Sequence, residues 1–473
     1  MRNLLENITK AQFLLFLFLL IFIPLYPKFP LLKVTGTFAA VRLEDIFITL
    51  ALIIFSMKII LGHKVKEFLA DKLIQAFLVF FFIGIISTFS AIFLTFTVIP
   101  HLGILHLLRR VELMLLLPLA FYSINSRSQL FISLLIFSGV ILLINLYAIG
   151  QQYLGWPVIS TTNSEFAKGQ ILSLTNDARV NSTFAGHYDL AIFLSGALAI
   201  LTALFFYFKK ITYRIWIFVV FGSSFAVLVM TAARLSFVAA IIGIIASLFL
   251  IKKRLFILLL LSLTLVALVY PSKLRDRFIS TIVVNINQGG ERYQGTEDER
   301  SRARLNISTL PTRTSTDSSE TAQSKRERGI PTDIAFNEPT DPTQLGVFRS
   351  FQIRLNAEWP KAIRGFLKNP LLGSGYSSLG LASDNDYLRS LGEVGLLGSF
   401  ALALILFEII KRFKILFTYN DRFFKFLSAG MVALILTFLI NAIFIDVFEA
   451  SKIASLFWMF LGIGLAGLKL IPK

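Results

Sequence analysis

The sequence predicts an all-α polytopic membrane protein, and three observations carry that prediction. Of the 473 residues, 56% are hydrophobic and the mean hydropathy is +0.74; soluble domains run at about 45–50% apolar. The excess is gathered into runs of roughly 18–25 residues, the length that crosses the hydrocarbon core of a bilayer. Polar sequence, by contrast, collects in two connections, 153–186 and 271–390.

Taken in order, a short basic segment Met1–Lys10 precedes a first span over Ala11–Tyr26, which lacks a small-residue cleavage site and reads as a retained helix. Further spans are expected near 44–62, 73–96, 106–124, 129–152, 187–207, 213–231, 233–251 and 253–270, and then near 391–410, 423–445 and 451–470. That makes about 12 transmembrane helices: nine within 1–270, a large loop over 271–390, and three within 391–473. Neither repeated halves nor an interrupted helix is visible.

Lysine and arginine in short loops orient such a bundle. Loops on the side of the N-terminus hold Lys58, Lys64, Lys66, Lys72, Arg127, Lys209, Lys210, Arg214, Lys252, Lys253, Arg254, Lys411, Arg412, Lys414, Arg422 and Lys425. Those on the other side hold Lys28, Lys33, Arg42, Arg109, Arg110, Lys168, Arg179, Arg234 and Lys452. Sixteen against nine predicts both termini in the cytoplasm and the segments 153–186 and 271–390 outside. The same retention of positive charge accounts for the net charge of +18 without nucleic acid. Cysteine is absent and the four histidines include no i,i+4 pair, so a thiolate or histidine metal site is not expected.

The large loop divides. Residues 287–344 are rich in Ser, Thr, Arg and Glu and cannot bury enough apolar surface to offset their ordering entropy, so they are expected to be disordered. Asn306 starts a glycosylation sequon, relevant only in a glycosylating compartment. Residues 345–390 are expected to be ordered. Phe348, Phe351, Leu355, Trp359, Ile363 and Phe366 recur at helical spacing, with Arg354, Lys361, Arg364 and Lys368 roughly opposite. This predicts amphipathic helix resting on lipid, kinked or restarted at Pro360.

Two constellations could carry chemistry. Arg179, Arg234 and Arg354 lie in segments expected outside, and guanidinium is well matched to bidentate phosphate binding. Arg234 stands in a very short turn between apolar helices, where it either snorkels or faces a polar cavity. Asp384, Asn385 and Asp386 precede an apolar helix. Such residues are ordinary caps, and equally suit a site in which an aspartate accepts a proton and Asn385 orients the substrate. Arg389, three residues after Asp386, is placed to neutralise it; Asp384 has no such local partner and is preferred as the reactive group. Val41-Arg42-Leu43-Glu44-Asp45 reads as an interfacial anchor.

Four segments together resemble the bacterial O-antigen polymerase and O-antigen ligase superfamily: VRLEDIFI, RVNSTFAGHYDLAIFL, TAARLSFVAA, and the pattern Arg354…Trp359…Asn369-Pro-Leu-Leu-Gly-Ser-Gly…Asn385-x-Tyr-Leu…Glu393-x-Gly-Leu-x-Gly398. The resemblance implies a GT-C-like, metal-independent glycosyltransferase of cell-envelope polysaccharide biosynthesis, without cofactor, at the outer face of the plasma membrane. Its donor would be an undecaprenyl or other polyprenyl diphosphate carrying a glycan, its acceptor a second glycan, and its partners membrane lipids, a flippase and a chain-length regulator. Arg179, Arg234 and Arg354 match the arginines that would engage the diphosphate. Beside them, and outside the matched positions, Arg349, Lys361, Arg364 and His187 are candidates for secondary contacts. Asp384 occupies the position of the ligases' acceptor-activating histidine, a departure that points to a polymerase. Transfer of a finished glycan to lipid or protein is the nearest alternative. A secondary transporter is the alternative from another class.

Overall fold

The computed structural model describes residues 2–35, 40–161, 171–174, 178–284, 339, 341–380 and 382–471. The expected disordered run therefore lies almost wholly outside the described residues, as do Asn306 and Lys168. Helices run in the order α1 (Arg2–Leu25), α2 (Leu43–Leu61), α3 (Val65–Ala70), α4 (Lys72–Phe93), α5 (Pro100–Ser123), α6 (Arg127–Tyr153), α7 (His187–Tyr207), α8 (Ile211–Met230), α9 (Arg234–Leu250), α10 (Leu255–Val269) and α11 (Lys273–Val283). After the large loop come α12 (Pro342–Ile353), α13 (Trp359–Lys368), α14 (Asp386–Thr418), α15 (Arg422–Asn441) and α16 (Ser451–Leu465). Two small antiparallel hairpins, Pro30–Lys33 with Ala40–Arg42 and Val158–Ser160 with Leu172–Leu174, decorate the connections before α2 and α7.

A helix occupies each expected span, yet the expected count of about 12 does not follow. Among the described residues eight helices are long and apolar enough to cross a membrane, and nine if α10 and α11, bent by 82° at their junction, are counted together. The other three fall short for visible reasons. Helix α2 carries Glu44, Asp45 and Lys58, α5 carries Arg109, Arg110 and Glu112, and α9 has 17 residues. The core is built by α7, α15 and α16, the most deeply buried of the candidate spans. Their packing includes one polar knot: Asn441 accepts from Ser236 Oγ at 2.7 Å and donates to Ser195 Oγ at 3.3 Å. Buried polar groups are tolerated when paired in this way.

Charged loops sort to two ends of the bundle. At one end Arg127 pairs with Asp421 (3.0 Å), Arg412 with Asp71 (3.1 Å), and Lys58 donates to the Tyr122 carbonyl (2.8 Å). At the other, Lys28 pairs with Asp189 (3.4 Å), Arg109 with Asp45 (2.6 Å), Arg110 with Glu449, and Lys452 donates to the Thr183 carbonyl (2.8 Å). The cations of each set, several of them inside helices and not in loops (Lys58 in α2, Arg109 and Arg110 in α5, Arg412 in α14), are ones that the lysine and arginine count assigns to a single side.

Helix α14 is not continuous. Gly395 has φ 65° and ψ −165°, a conformation that L side chains rarely adopt, and it breaks the helix. The orphaned backbone groups are taken by the loop 369–375. Ser374 N donates to Gly392 O (2.7 Å), Gly375 N to Glu393 O (2.9 Å) and Leu396 N to Pro370 O (2.9 Å). Ser87 on α4 donates to the carbonyls of Leu372 (2.5 Å) and Glu393 (2.8 Å). Two glycines permit the approach. A Cβ on Gly373 would collide with the Glu393 backbone, and one on Gly395 with the Leu371 carbonyl. The NPLLGSG and GEVGLLG stretches are thus one backbone clasp. The interrupted helix is not visible in the sequence, because glycine within an apolar run reads as ordinary span.

The amphipathic segment also differs from expectation. Its helix starts at Pro342, capped by Asp341, so residues 342–344 belong to it and not to the expected disordered run. At Pro360 the expected restart is seen: a second α-helix begins at Trp359 with the proline in its first turn. One π turn over Arg354–Glu358 intervenes, with the Trp359 N–H bonded to the Arg354 carbonyl five residues back. A proline ring collides with the carbonyl four residues before it, and widening the turn relieves that collision. Much of the expected lipid face packs on protein instead. Val347 and Phe348 bury against Val284, Trp359 lies 5.7 Å from the Phe444 ring, and Ala362 and Gly365 press on Gly392 and Leu379. Leu355, Ile363 and Leu367 remain exposed beside Arg364.

Candidate functional site

Four arginines converge from four separate segments at one end of the bundle. Arg179 follows the second hairpin, Arg234 opens α9 after a turn in which Ala232 has φ 53°, Arg277 lies on α11, and Arg354 begins the π turn. Arg234 Nη1 donates to the Arg277 carbonyl at 3.3 Å and its guanidinium lies 6.0 Å from the Phe351 ring centroid. Arg179 stands 5.5 Å from the Tyr188 ring centroid. Burial lowers the Arg179 pKa and the Arg277 charge adds to that, while Tyr188 opposes it. Arg234 in turn lies within the fields of Arg277, Arg354 and Arg179, so the four guanidinium groups repel one another.

Four buried nitrogens in this cluster, Arg179 Nη1, Arg277 Nε, Arg354 Nε and His187 Nε2, have no hydrogen-bond partner among the described residues. Buried polar groups are ordinarily satisfied, so the three orphaned guanidinium nitrogens, all donors, call for a ligand rich in acceptors. Mutually repelling guanidinium groups call for one that is anionic. Among the described residues no group of three or more His, Asp or Glu side chains is placed to hold a metal ion.

Asp384 joins the cluster from the far side of the clasp. Its carboxylate pairs at long range with Arg354 Nη2 at 2.8 Å. The partner comes from an earlier helix, well beyond the reach of local spacing. The Arg354 side chain is 12% exposed and that of Asp384 32%, so the pair is reachable from solvent on the carboxylate side. Arg354 also donates to the Ser350 carbonyl at 3.1 Å and to its hydroxyl.

Asp384 has φ 49°, a left-handed conformation that costs a non-glycine residue roughly 1–2 kcal/mol. What holds it there is Asp446, in the connection between α15 and α16. The Asp446 carboxylate accepts from Ser383 N (2.7 Å), Ser383 Oγ (2.7 Å), Asp384 N (3.2 Å), Asn385 N (3.1 Å) and Arg389 Nη1 (2.9 Å).

The other members of the triplet are engaged structurally. Asn385 caps α14 by accepting from Leu388 N at 2.9 Å. Asp386 is buried and accepts from Val447 N (2.7 Å) and Phe448 N (3.1 Å). Arg389, expected to neutralise Asp386, makes its closest ion pairs with Asp446 (2.9 Å) and Glu393 (3.3 Å) instead. The Asp386 carboxylate is turned to the amides of the connection before α16, away from a side chain three residues on.

His187 lies beside Tyr188, 4.1 Å between ring centroids, and near Arg179 and Arg277. Arg349 lies on α12, and Lys361 and Arg364 on α13; Arg364 is exposed, and Lys361 comes close to Gly380. Sequence reasoning missed Arg277 and Asp446. Asp446 had a usable signal, a carboxylate in a short connection between apolar helices, the same argument that singled out Arg234. No protein-family model matches the chain, and no curated protein matches it either.

Proposed function

We propose that the protein is a membrane glycosyltransferase of GT-C-like architecture that polymerises or transfers polyprenyl-diphosphate-linked glycan units on the outer face of a bacterial plasma membrane. The observation that carries this reading is the convergence of Arg179, Arg234, Arg277 and Arg354, with unpartnered buried nitrogens, on one end of an apolar helix bundle. Such a cluster suits a diphosphate whose lipid tail stays in the bilayer.

In the transfer, an acceptor hydroxyl oxygen attacks the anomeric carbon of the donor. The bond from that carbon to the phosphate oxygen breaks, and the diphosphate leaves with the electron pair. Preorganised guanidinium groups stabilise the developing charge. Asp384 takes the hydroxyl proton. Its pairing with Arg354 supports a coupling: a diphosphate that engages Arg354 competes with the carboxylate and frees it for the acceptor. Asn385 and Asp386 then serve by fixing the backbone around Asp384.

The test is chain growth on lipid-linked repeat units by Arg234→Ala, Arg277→Ala, Arg354→Ala and Asp384→Ala, at normal expression. Each arginine variant is expected to lose about 10²–10³-fold, as for removal of one charge-stabilising donor. Full activity in all four refutes the site. A ladder of repeat lengths marks a polymerase; a single transfer product marks the ligase-type reading. The transporter reading is favoured by one observation, the break in α14 at Gly395, since transporters use interrupted helices. Movement of intact substrate across proteoliposomes without a covalent product would support it.

A further inference from the structure

A cavity of about 880 Å³ opens at the opposite end of the bundle from the arginine cluster, between α6, α7, α8 and the start of α15. Its wall is apolar and aromatic, with Phe131, Tyr207 and Trp216. Its rim holds Arg127, Lys209, Lys210 and Arg422 against the single carboxylate of Asp421.

We propose that this cavity is a binding site for an anionic glycerophospholipid, with one acyl chain against the aromatic wall and the headgroup phosphate on the rim. Three observations carry it. First, Ile132 and Leu135 on the wall are exposed, so the cavity is open on an apolar flank from which a chain can enter. Second, the rim cations are not all used internally. Arg127 pairs with Asp421 (3.0 Å), Arg422 donates to the Phe206 carbonyl (2.8 Å) and Lys210 lies 5.6 Å from the Tyr213 ring centroid, but among the described residues Lys209 and Lys210 have no carboxylate partner. Third, Trp216 lines the cavity with Nε1 donating to Ser138 Oγ at 2.9 Å, leaving its apolar face for a chain. Basic pockets between membrane helices select acidic headgroups in this way. The end concerned is the one that the loop charges predict to be cytoplasmic, where anionic lipid is concentrated.

The test uses the full chain in nanodiscs of phosphatidylcholine and phosphatidylglycerol in equal parts, with brominated acyl chains carried by one lipid or the other. Trp216 fluorescence is the difference between wild type and Trp216→Phe. Brominated phosphatidylglycerol is expected to quench Trp216 more than brominated phosphatidylcholine. The preference should fall about fivefold for each of Lys209→Gln and Lys210→Gln, the effect of one cation near an anionic surface. Both lysines are exposed, so these variants are expected to fold. Equal quenching by the two lipids, no quenching by either, or an undiminished preference in the double lysine variant overturns the proposal.

Discussion

Asp446→Ala is the perturbation that most directly probes how the site is held. The substitution removes an acceptor for Ser383, Asp384, Asn385 and Arg389 at once. Ser383 and Asn385 are 1% and 8% exposed, so their amides lose a partner where water does not readily replace it. Each orphaned amide costs about 1 kcal/mol at the low end of the usual range. Breaking a buried ion pair by deleting one partner costs about 3–5 kcal/mol. Arg389 keeps Glu393 and the Gly380 carbonyl, which places it at the low end of that range. The expected loss is therefore about 5 kcal/mol, well outside the usual effect of a point mutation. Asp446→Asn keeps one carbonyl oxygen but turns an NH2 group toward donors, so it should fall between wild type and alanine.

The assay is thermal unfolding in nanodiscs followed by tryptophan fluorescence. The order wild type, asparagine, alanine is expected, with a large drop for alanine. An alanine variant that melts with wild type would refute the reasoning, because Asp384 would then hold its left-handed conformation without the carboxylate.

Three further predictions follow from the same geometry. Gly373→Ala and Gly395→Ala each drive a Cβ into backbone at positive φ, so each should lower the melting temperature strongly, whereas Gly346→Ala, in open space, should not. Pro360→Ala removes the ring that sustains the π turn; stability should change by less than about 1 kcal/mol, while chain growth should fall as Arg354 rotates away from Asp384. Arg277→Lys keeps the charge but not the fork, and should recover only part of the activity that Arg277→Ala loses in the lipid-linked assay.

The sequence made the apolar helices legible because their length and composition are set by the bilayer, whatever they pack against. It also placed Arg179, Arg234 and Arg354 as a set, from their common side of the membrane. Arg277 stayed hidden because Lys273, Arg275 and Asp276 surround it, and a charged stretch of that kind reads as a solvated face. Asp384 and Arg354 are a pair only in three dimensions. The hairpins are three or four residues a strand, too short for alternation to show. The Gly395 break depends on a partner loop on the far side of the site, which no periodicity within the helix reveals.

The irregularities and the arginine cluster share one end of the bundle, and a physical reason links them. Straight spans would carry their terminal side chains outward along the bundle axis and leave the cations dispersed. The 82° bend before α11 lays that helix across the end, which brings the Arg277 carbonyl to Arg234. The clasp at Gly395 ties the loop after α13 to α14, while the Asp446 carboxylate fixes residues 383–385 just before α14 begins. Each irregularity frees backbone groups that membrane depth would penalise, and each is repaired by protein: the loop 369–375 in one case, Ser272 capping Arg275 in the other. The irregular backbone thereby gathers four like charges at one end of the helix bundle, and the helices below it act as their rigid support.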